Sequence, residues 1–122
     1  MIESRVDPDR RLTIHVCSGD LTAKEFIEAI ERFYDLEPTP HNLWDLSHAK
    51  LAGLSLEAIR EVAVSTHSKA PEREPGKTAL VSSEDLAYGL AKMYSAFSEM
   101  TGHSATVEVF RSTEEADAWL AS

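Results

Sequence analysis

Cysteine, long apolar runs and positive charge are all scarce in this chain of 122 residues. Cys17 is the only cysteine, so an internal disulfide and a cysteine-rich structural zinc site are both excluded. No apolar run approaches the roughly 20 residues that span a membrane, and the start, MIESRVDPDR, lacks the apolar core of a signal peptide. The sequence therefore predicts a cytoplasmic protein in which Cys17 is a small buried thiol on a strand.

Positive charge is outweighed, with 12 Lys and Arg against 21 Asp and Glu and a net charge of -9. Nucleic acids are bound by Lys and Arg that neutralise phosphates, and anionic membranes attract polybasic segments. We therefore expect no nucleic acid and no membrane as partners. The length suits a single domain over residues 1–122, and 43% hydrophobic residues supply one core.

Strand-like and helix-like segments alternate along the chain. The predicted strands are Ile2–Val6, Leu12–Val16, Leu43–Leu46, Thr78–Val81 and Thr106–Phe110. The predicted helices begin at Thr22, Ser55, Ser83 and Ser112. The order ββαβαβαβα predicts an α/β fold: an N-terminal β-hairpin, turned at Asp7–Arg10, followed by a right-handed βα superhelix. Its sheet has five strands, mainly parallel, with helices chiefly on one face.

Two details of the strands and loops sharpen this prediction. Thr13 and His15 on the second strand, like Thr106 and Glu108 on the fifth, alternate with apolar residues. We expect these polar residues on an open face of the sheet. The segment 69–77, KAPEREPGK, is predicted to be a charged and mobile loop.

The long helix that begins at Ser83 has a wide apolar surface. Its predicted buried stripe consists of Leu86, Leu90, Met93, Phe97 and Met100. Its flank carries additional apolar residues, Ala87, Ala91 and Tyr94. This surplus predicts a homodimer contact, unless a neighbouring helix of the same layer covers it. Gly89, in the middle of the helix, predicts a close approach by the sheet, another helix or a ligand.

Four stretches of the chain resemble the SpoIIAA-like family, the uncharacterised bacterial branch related to STAS and Sec14 (CRAL-TRIO) domains. They are GDLT before the first helix, LWDLS on the third strand, KTALVSSEDLAYGLAKMY, and VEVFRSTEEADAWL. The resemblance covers nearly the whole chain and implies sequential strands with helices mainly on one side. It implies a small regulatory module that acts through protein contacts or, from the Sec14 relatives, a binder of a small apolar ligand.

Ser55 has two interpretations. STAS relatives that regulate anti-sigma factors carry Asp-Ser-Ser-Gly after the third strand, with the second serine phosphorylated, and the matching residues here are Gly53-Leu54-Ser55-Leu56. The resemblance thus implies Ser55 as a phosphoacceptor, although the aspartate, the first serine and the glycine are absent. Serine is also a preferred N-cap, and Leu54 with Ile59 occupies the positions of a hydrophobic staple. We favour capping as the role of Ser55.

The carboxyl ends of parallel strands meet the starts of the following helices at one pole, where ligands usually bind. The candidate binding residues there are Asp20, Asp45, Ser47, His48, Ser82, Ser83 and Arg111. We expect Asp45 to accept backbone hydrogen bonds as a structural anchor. No Gly-x-Ser-x-Gly elbow or Gly-rich phosphate loop accompanies these residues, and the five histidines lack the spacing of a zinc motif.

Acidic residues at the predicted helix starts would moreover repel a bound phosphate. The sequence therefore predicts no catalytic residues, no metal, no cofactor and no nucleotide. The function it favours is a non-enzymatic regulatory or protein-interaction module. The alternative is the small apolar ligand. Two observations count against that alternative. Nearly every predicted strand and helix is needed to build the sheet and its helical layer, and segment 69–77 is too polar to form an apolar lid over a ligand.

Overall fold

The computed structural model describes residues 1–36, 38–100 and 106–122, and it has the predicted order of strands and helices. The elements are β1 (Ile2–Asp7), β2 (Leu12–Asp20), α1 (Ala23–Asp35), β3 (His41–Lys50), α2 (Leu56–Lys69), a 3-10 helix (Ala70–Glu72), β4 (Lys77–Val81), α3 (Asp85–Met100), β5 (Thr106–Phe110) and α4 (Thr113–Leu120). The strands form one sheet in the order β1-β2-β3-β4-β5. β1 pairs antiparallel with β2, and the other pairs are parallel. The predicted α/β fold is confirmed.

Three helices begin where the sequence predicts, because a hydroxyl caps each start. The side chains of Thr22, Ser55 and Ser112 accept hydrogen bonds from the amides of Glu25, Ala58 and Glu115, at 3.3, 3.1 and 3.2 Å. Such bonds satisfy one of the amides that a helix start otherwise leaves without a partner. β2 and β3 run longer than predicted, to Asp20 and Lys50, so that several expected loop residues are in strands.

The helices cover the two faces of the sheet unequally. α1, α2 and α3 pack on one face, which we call the main face, over residues such as Trp44, Leu46 and Leu80. α4 packs on the other face, where Ala116 contacts the cluster that contains Leu43 and Val81. Most helices therefore lie on one face, as predicted, and a smaller second core forms beneath α4.

The polar side of β2 faces the opposite way from the prediction. Thr13 and His15 are 5% and 0% exposed and lie on the main face, whereas Leu12 and Ile14 belong to the cluster beneath α4. Burial of a neutral histidine is possible because both of its ring nitrogens have hydrogen-bond partners, Ser4 and Asn42. On β5 the prediction is confirmed, since Thr106 and Glu108 are exposed.

The buried side of α3 is rotated from the predicted stripe. The residues it buries are Ala87, Leu90, Ala91 and Ser98. Leu86 and Met100 were expected in the core but are 48% and 80% exposed. Small side chains let α3 approach α2 and the sheet closely, so the flank that suggested a dimer contact is covered by the same chain. Gly89 also departs from expectation, because a Cβ there would meet no atom within 4 Å.

Segment 69–77 is folded against the sheet, and the prediction of a charged loop is wrong for much of it. α2 extends to Lys69, the 3-10 helix follows, and Ala70 and Arg73 are 3% and 8% exposed. The backbone approaches β3 so closely at Gly76 that a Cβ there would lie 2.1 Å from the Pro40 carbonyl oxygen. Only glycine fits at this contact.

Candidate functional site

A cavity lies between the main face of the sheet and helices α1, α2 and α3. Its volume is about 80 Å³, and it is partly open to solvent. Its apolar lining consists of Phe26, Ile30, Phe33, Trp44, Leu46, Leu51, Ile59, Val62, Leu80, Leu90, Ala91 and Val107. Each of the three helices and three of the strands supply side chains to this lining.

Protein interiors are normally packed as densely as organic crystals, with few voids larger than a water molecule. A gap in the packing deprives the side chains that line it of dispersion contacts. Binding pockets for small molecules have this apolar character, with a few polar groups that fix the orientation of the ligand.

The polar part of the lining is small and is centred on Arg73. Asn42, Thr66, Thr78, Tyr34 and Tyr94 are its other members. The guanidinium of Arg73 donates from Nε and Nη2 to the carbonyl oxygen of Pro40, at 3.2 and 2.7 Å, and from Nη2 to the Thr78 hydroxyl at 3.0 Å. No carboxylate of the described residues lies within 4.0 Å of it, and no hydrogen bond among those residues uses Nη1.

Two tyrosines accompany this arginine. The ring of Phe33 contacts Arg73 and Tyr34, with its centroid 5.7 Å from the guanidinium carbon and 4.9 Å from the Tyr34 ring centroid. The hydroxyl of Tyr34 is buried and has no hydrogen-bond partner among the described residues. Burial raises the pKa of the Tyr94 phenol. A hydrogen bond with Thr66 and the charge of Arg73 partly oppose this rise. The Tyr94 phenol is therefore a protonated donor at neutral pH.

Behind the cavity wall lies the buried histidine of β2. The ring of His15 stacks on Trp44 with centroids 3.9 Å apart, and Nε2 lies 2.9 Å from Asn42 Oδ1. Burial is the main cause that lowers the pKa of His15 to about 4, with a further contribution from the positive charges of Arg32 and Arg73. His15 is neutral at physiological pH, and it fixes the orientation of Trp44 and Asn42 rather than contributing charge to the cavity.

The residues of the predicted binding pole lie toward the carboxyl ends of the strands, and they bond mainly to their neighbours. Asp45 accepts a hydrogen bond from the Ser47 amide at 3.0 Å, as expected of an anchor, and Ser82 accepts one from the Glu84 amide at 3.2 Å. Arg111 donates to the Ser83 carbonyl oxygen and to Asp85 Oδ1, at 3.2 and 2.8 Å.

The remaining members of the pole are exposed. Asp20 and His48 lie near the ends of β2 and β3, where Ser18 pairs with His48 and Asp20 with Lys50. None of the predicted pole residues lines the cavity within the described part of the chain. Among the described residues, the pole and the cavity are therefore separate features.

Sequence reasoning missed the cavity because the patterns of the segments that hold its polar residues are explained without one. Arg73 falls in segment 69–77, which the sequence predicts to be a charged loop, and Thr66 lies within a helix whose apolar pattern is otherwise ordinary. One signal was available. Asn42, Thr66 and Thr78 each lie on the side of a strand or helix that faces the protein core. Polar residues at such positions mark either internal hydrogen bonds or a ligand.

Other classes of site find no support in residues 1–36, 38–100 and 106–122. These residues contain no group of three or more His, Cys, Asp or Glu side chains that could hold a metal ion. No helix among them is long and apolar enough to cross a membrane. Cys17 is fully buried, as predicted, and burial raises the pKa of its thiol to about 12.

Comparison with known proteins assigns no family or activity. No protein family matches the chain, and no curated protein matches it.

Proposed function

We propose that the protein binds a small apolar ligand in the cavity between the main face and helices α1, α2 and α3. The observation that carries this proposal is the apolar cavity itself, at a place where dense packing is the rule. A ligand that fills it recovers the dispersion contacts that the lining residues otherwise lack. This is the alternative suggested by the resemblance to Sec14 relatives, and the cavity now favours it over the interaction module.

The proposed function is ligand binding without catalysis. The lining contains one arginine, two tyrosines and neutral polar side chains, but no nucleophile paired with a base. We therefore propose a non-enzymatic cytoplasmic protein that needs no cofactor and belongs to the SpoIIAA-like group.

A cavity-filling substitution tests this function directly. Ala91 lies on α3 in the cavity lining and is 4% exposed, so Ala91→Leu adds volume where the ligand would lie. The probe is 1-octanol, and the readout is the fluorescence of Trp44. Trp119→Phe isolates this signal, because Trp119 lies on α4 and packs on the other face of the sheet. We expect 1-octanol to bind the parent protein and not the Ala91→Leu variant.

The matched control is Ala96→Leu, which adds the same side chain at an exposed position of the same helix. It should leave the affinity for 1-octanol unchanged. Equal binding by the Ala91→Leu variant, or none by the parent protein, would overturn the proposed function.

A second candidate function, contact with a protein partner or with a second copy, is favoured by a different surface. Leu86, Met93, Phe97 and Met100 recur on one side of α3, at intervals of seven, four and three residues. Met93 and Phe97 pack partly on the core, whereas Leu86 and Met100 are exposed. We call this set the α3 outer stripe. The sequence predicts a homodimer contact on the flank with Ala87, Ala91 and Tyr94, but α2 covers that flank. The α3 outer stripe is the surface that now supports a homodimer.

A further inference from the structure

We infer that the ligand of the cavity carries a carboxylate, which Arg73 binds with the help of the Tyr34 hydroxyl. The inference rests on the proposed function and specifies the ligand's chemical class: an amphiphile with one negative charge and an apolar chain of medium length. Its basis is the buried guanidinium of Arg73 and the buried hydroxyl of Tyr34. Both line the cavity, and both have N–H or O–H donors without a described partner.

Among the described residues, the charge of Arg73 has no counter-ion. Removing a guanidinium from water is costly, and buried charges in proteins are as a rule paired with an opposite charge. Arg73 is 8% exposed, yet its described partners are the neutral oxygens of Pro40 and Thr78. A bound carboxylate would supply the missing negative charge.

The geometry of Arg73 leaves donors for such a group. Nε and Nη2 are engaged with Pro40 and Thr78, which fixes the plane of the guanidinium, and Nη1 has no described partner. A guanidinium donates to carboxylates through well-directed, charge-assisted hydrogen bonds that are stronger than bonds between neutral groups. The arginine is held in place before the ligand arrives, so little further ordering is needed on binding.

Tyr34 supplies an independent second observation. Its side chain is 6% exposed and lines the cavity, while its hydroxyl has no described hydrogen-bond partner. An unsatisfied buried hydroxyl is costly, and native structures rarely retain one without a role. Tyr34 and Arg73 line the same cavity, and Phe33 contacts both side chains.

A single cation matches a singly charged headgroup. Arg73 is the only charged side chain in the described lining, and the rest of the wall is apolar apart from neutral hydroxyl and amide groups. A carboxylate on a chain of medium length would place its charge at Arg73 and its hydrocarbon against residues such as Leu46 and Leu90.

The test compares octanoate with 1-octanol, which share their apolar chain and differ in the headgroup. At pH 8 octanoate is ionised, and we expect it to bind the wild-type protein at least about tenfold more tightly, as a charge-assisted hydrogen bond would give. In Arg73→Gln the preference should reverse, because a carboxylate would then be buried without a counter-charge. The affinity for 1-octanol in the same variant reports whether the cavity is intact.

Tyr34→Phe provides a second variant that does not disturb the fold, since the removed hydroxyl has no described partner. It should weaken octanoate binding and leave 1-octanol binding unchanged. Tyr88→Phe, outside the cavity lining, is its matched control and should change neither.

The outcomes separate the two proposals. The proposal of a carboxylate ligand is overturned if 1-octanol binds wild type as tightly as octanoate does, or if both variants lose the two ligands equally. The proposal of an apolar binding site is then retained. If neither ligand binds wild type, the proposed function fails, and this inference fails with it.

Discussion

The imidazole of His15 and the indole of Trp44 stack at 3.9 Å between centroids, and the two rings are tilted by only 19°. Trp44 lines the cavity, whereas His15 is completely buried and lies edge-on to Phe33. Because Nε2 faces the acceptor Oδ1 of Asn42, it carries the ring proton, and Nδ1 accepts from the Ser4 hydroxyl 2.7 Å away. The neutral ring thus supports one wall of the proposed site.

This arrangement predicts that stability falls on mild acidification. The pKa of His15 is lowered to about 4 in the folded protein and returns to 6.5 on unfolding. Between these values the unfolded chain binds the proton more readily, so the free energy of unfolding decreases as pH falls from about 6.5 to about 4. The full effect is about 3 kcal/mol, and urea titrations at several pH values measure it.

His15→Gln is the control for that experiment, because it removes the titrating group. The pKa of His41 is also lowered, by burial and by the charge of Lys77, and its contribution has the same sign. That contribution remains in the variant. The variant should lose less stability than wild type between pH 6.5 and 4, and identical losses would contradict the prediction.

Two glycine-to-alanine substitutions should shift stability in opposite directions. At Gly76 the new Cβ would lie 2.1 Å from the Pro40 carbonyl oxygen, which also accepts from Arg73. The backbone must move, and we expect a loss of about 1–3 kcal/mol. At Gly89 the Cβ meets open space in a helix, so alanine should stabilise by about 1 kcal/mol. Thermal unfolding measures both, and a stabilised Gly76→Ala variant would contradict the structure.

The fold was predictable from sequence because local signals and topology agree. The hydroxyl caps at Thr22, Ser55 and Ser112 mark three helix starts, and strands alternating with helices leave few topologies open. The orientation of β2 was not predictable, because alternation shows that a strand has two different sides but not which one faces the helices. Partners such as Asn42, which make Thr13 and His15 acceptable in the core, are distant in sequence.

The candidate site was harder to predict for a related reason. Arg73 belongs to a segment rich in charge and proline, and only contacts with Pro40 and Thr78 reveal that it is buried. On α3, the larger apolar residues defined the predicted stripe, whereas close packing selected the small ones, Ala87 and Ala91. A pattern of hydrophobicity does not encode how closely two helices approach.

Ser55 should behave as a helix cap. Its hydroxyl accepts from the Ala58 amide at 3.1 Å, so Ser55→Ala should destabilise the protein by about 1 kcal/mol. Ser55→Asp should be nearly neutral, because aspartate caps as well as serine does. Urea unfolding gives both values. A pull-down in which partners differ between wild type and Ser55→Asp would instead support the phosphoacceptor role.

We predict finally that the protein is a homodimer in contact through the α3 outer stripe. Tyr94 was the residue that the sequence suggested for a test, but it lines the cavity, and Tyr94→Glu would place a charge in the core. Leu86→Glu is the better variant because Leu86 is 48% exposed and its change should leave the fold intact. Light scattering at tens of micromolar should show a dimer for wild type and a monomer for Leu86→Glu.

The matched control for the dimer is Leu56→Glu, on α2, where Leu56 is 55% exposed and lies off the stripe. It adds the same charge to an acidic protein, so it reproduces any general repulsion between copies while sparing the proposed contact. The Leu56→Glu variant should therefore remain dimeric. A monomeric wild-type protein would refute self-association. A folded Leu86→Glu dimer would place the interface elsewhere, because a carboxylate buried at the contact without a partner would weaken it strongly.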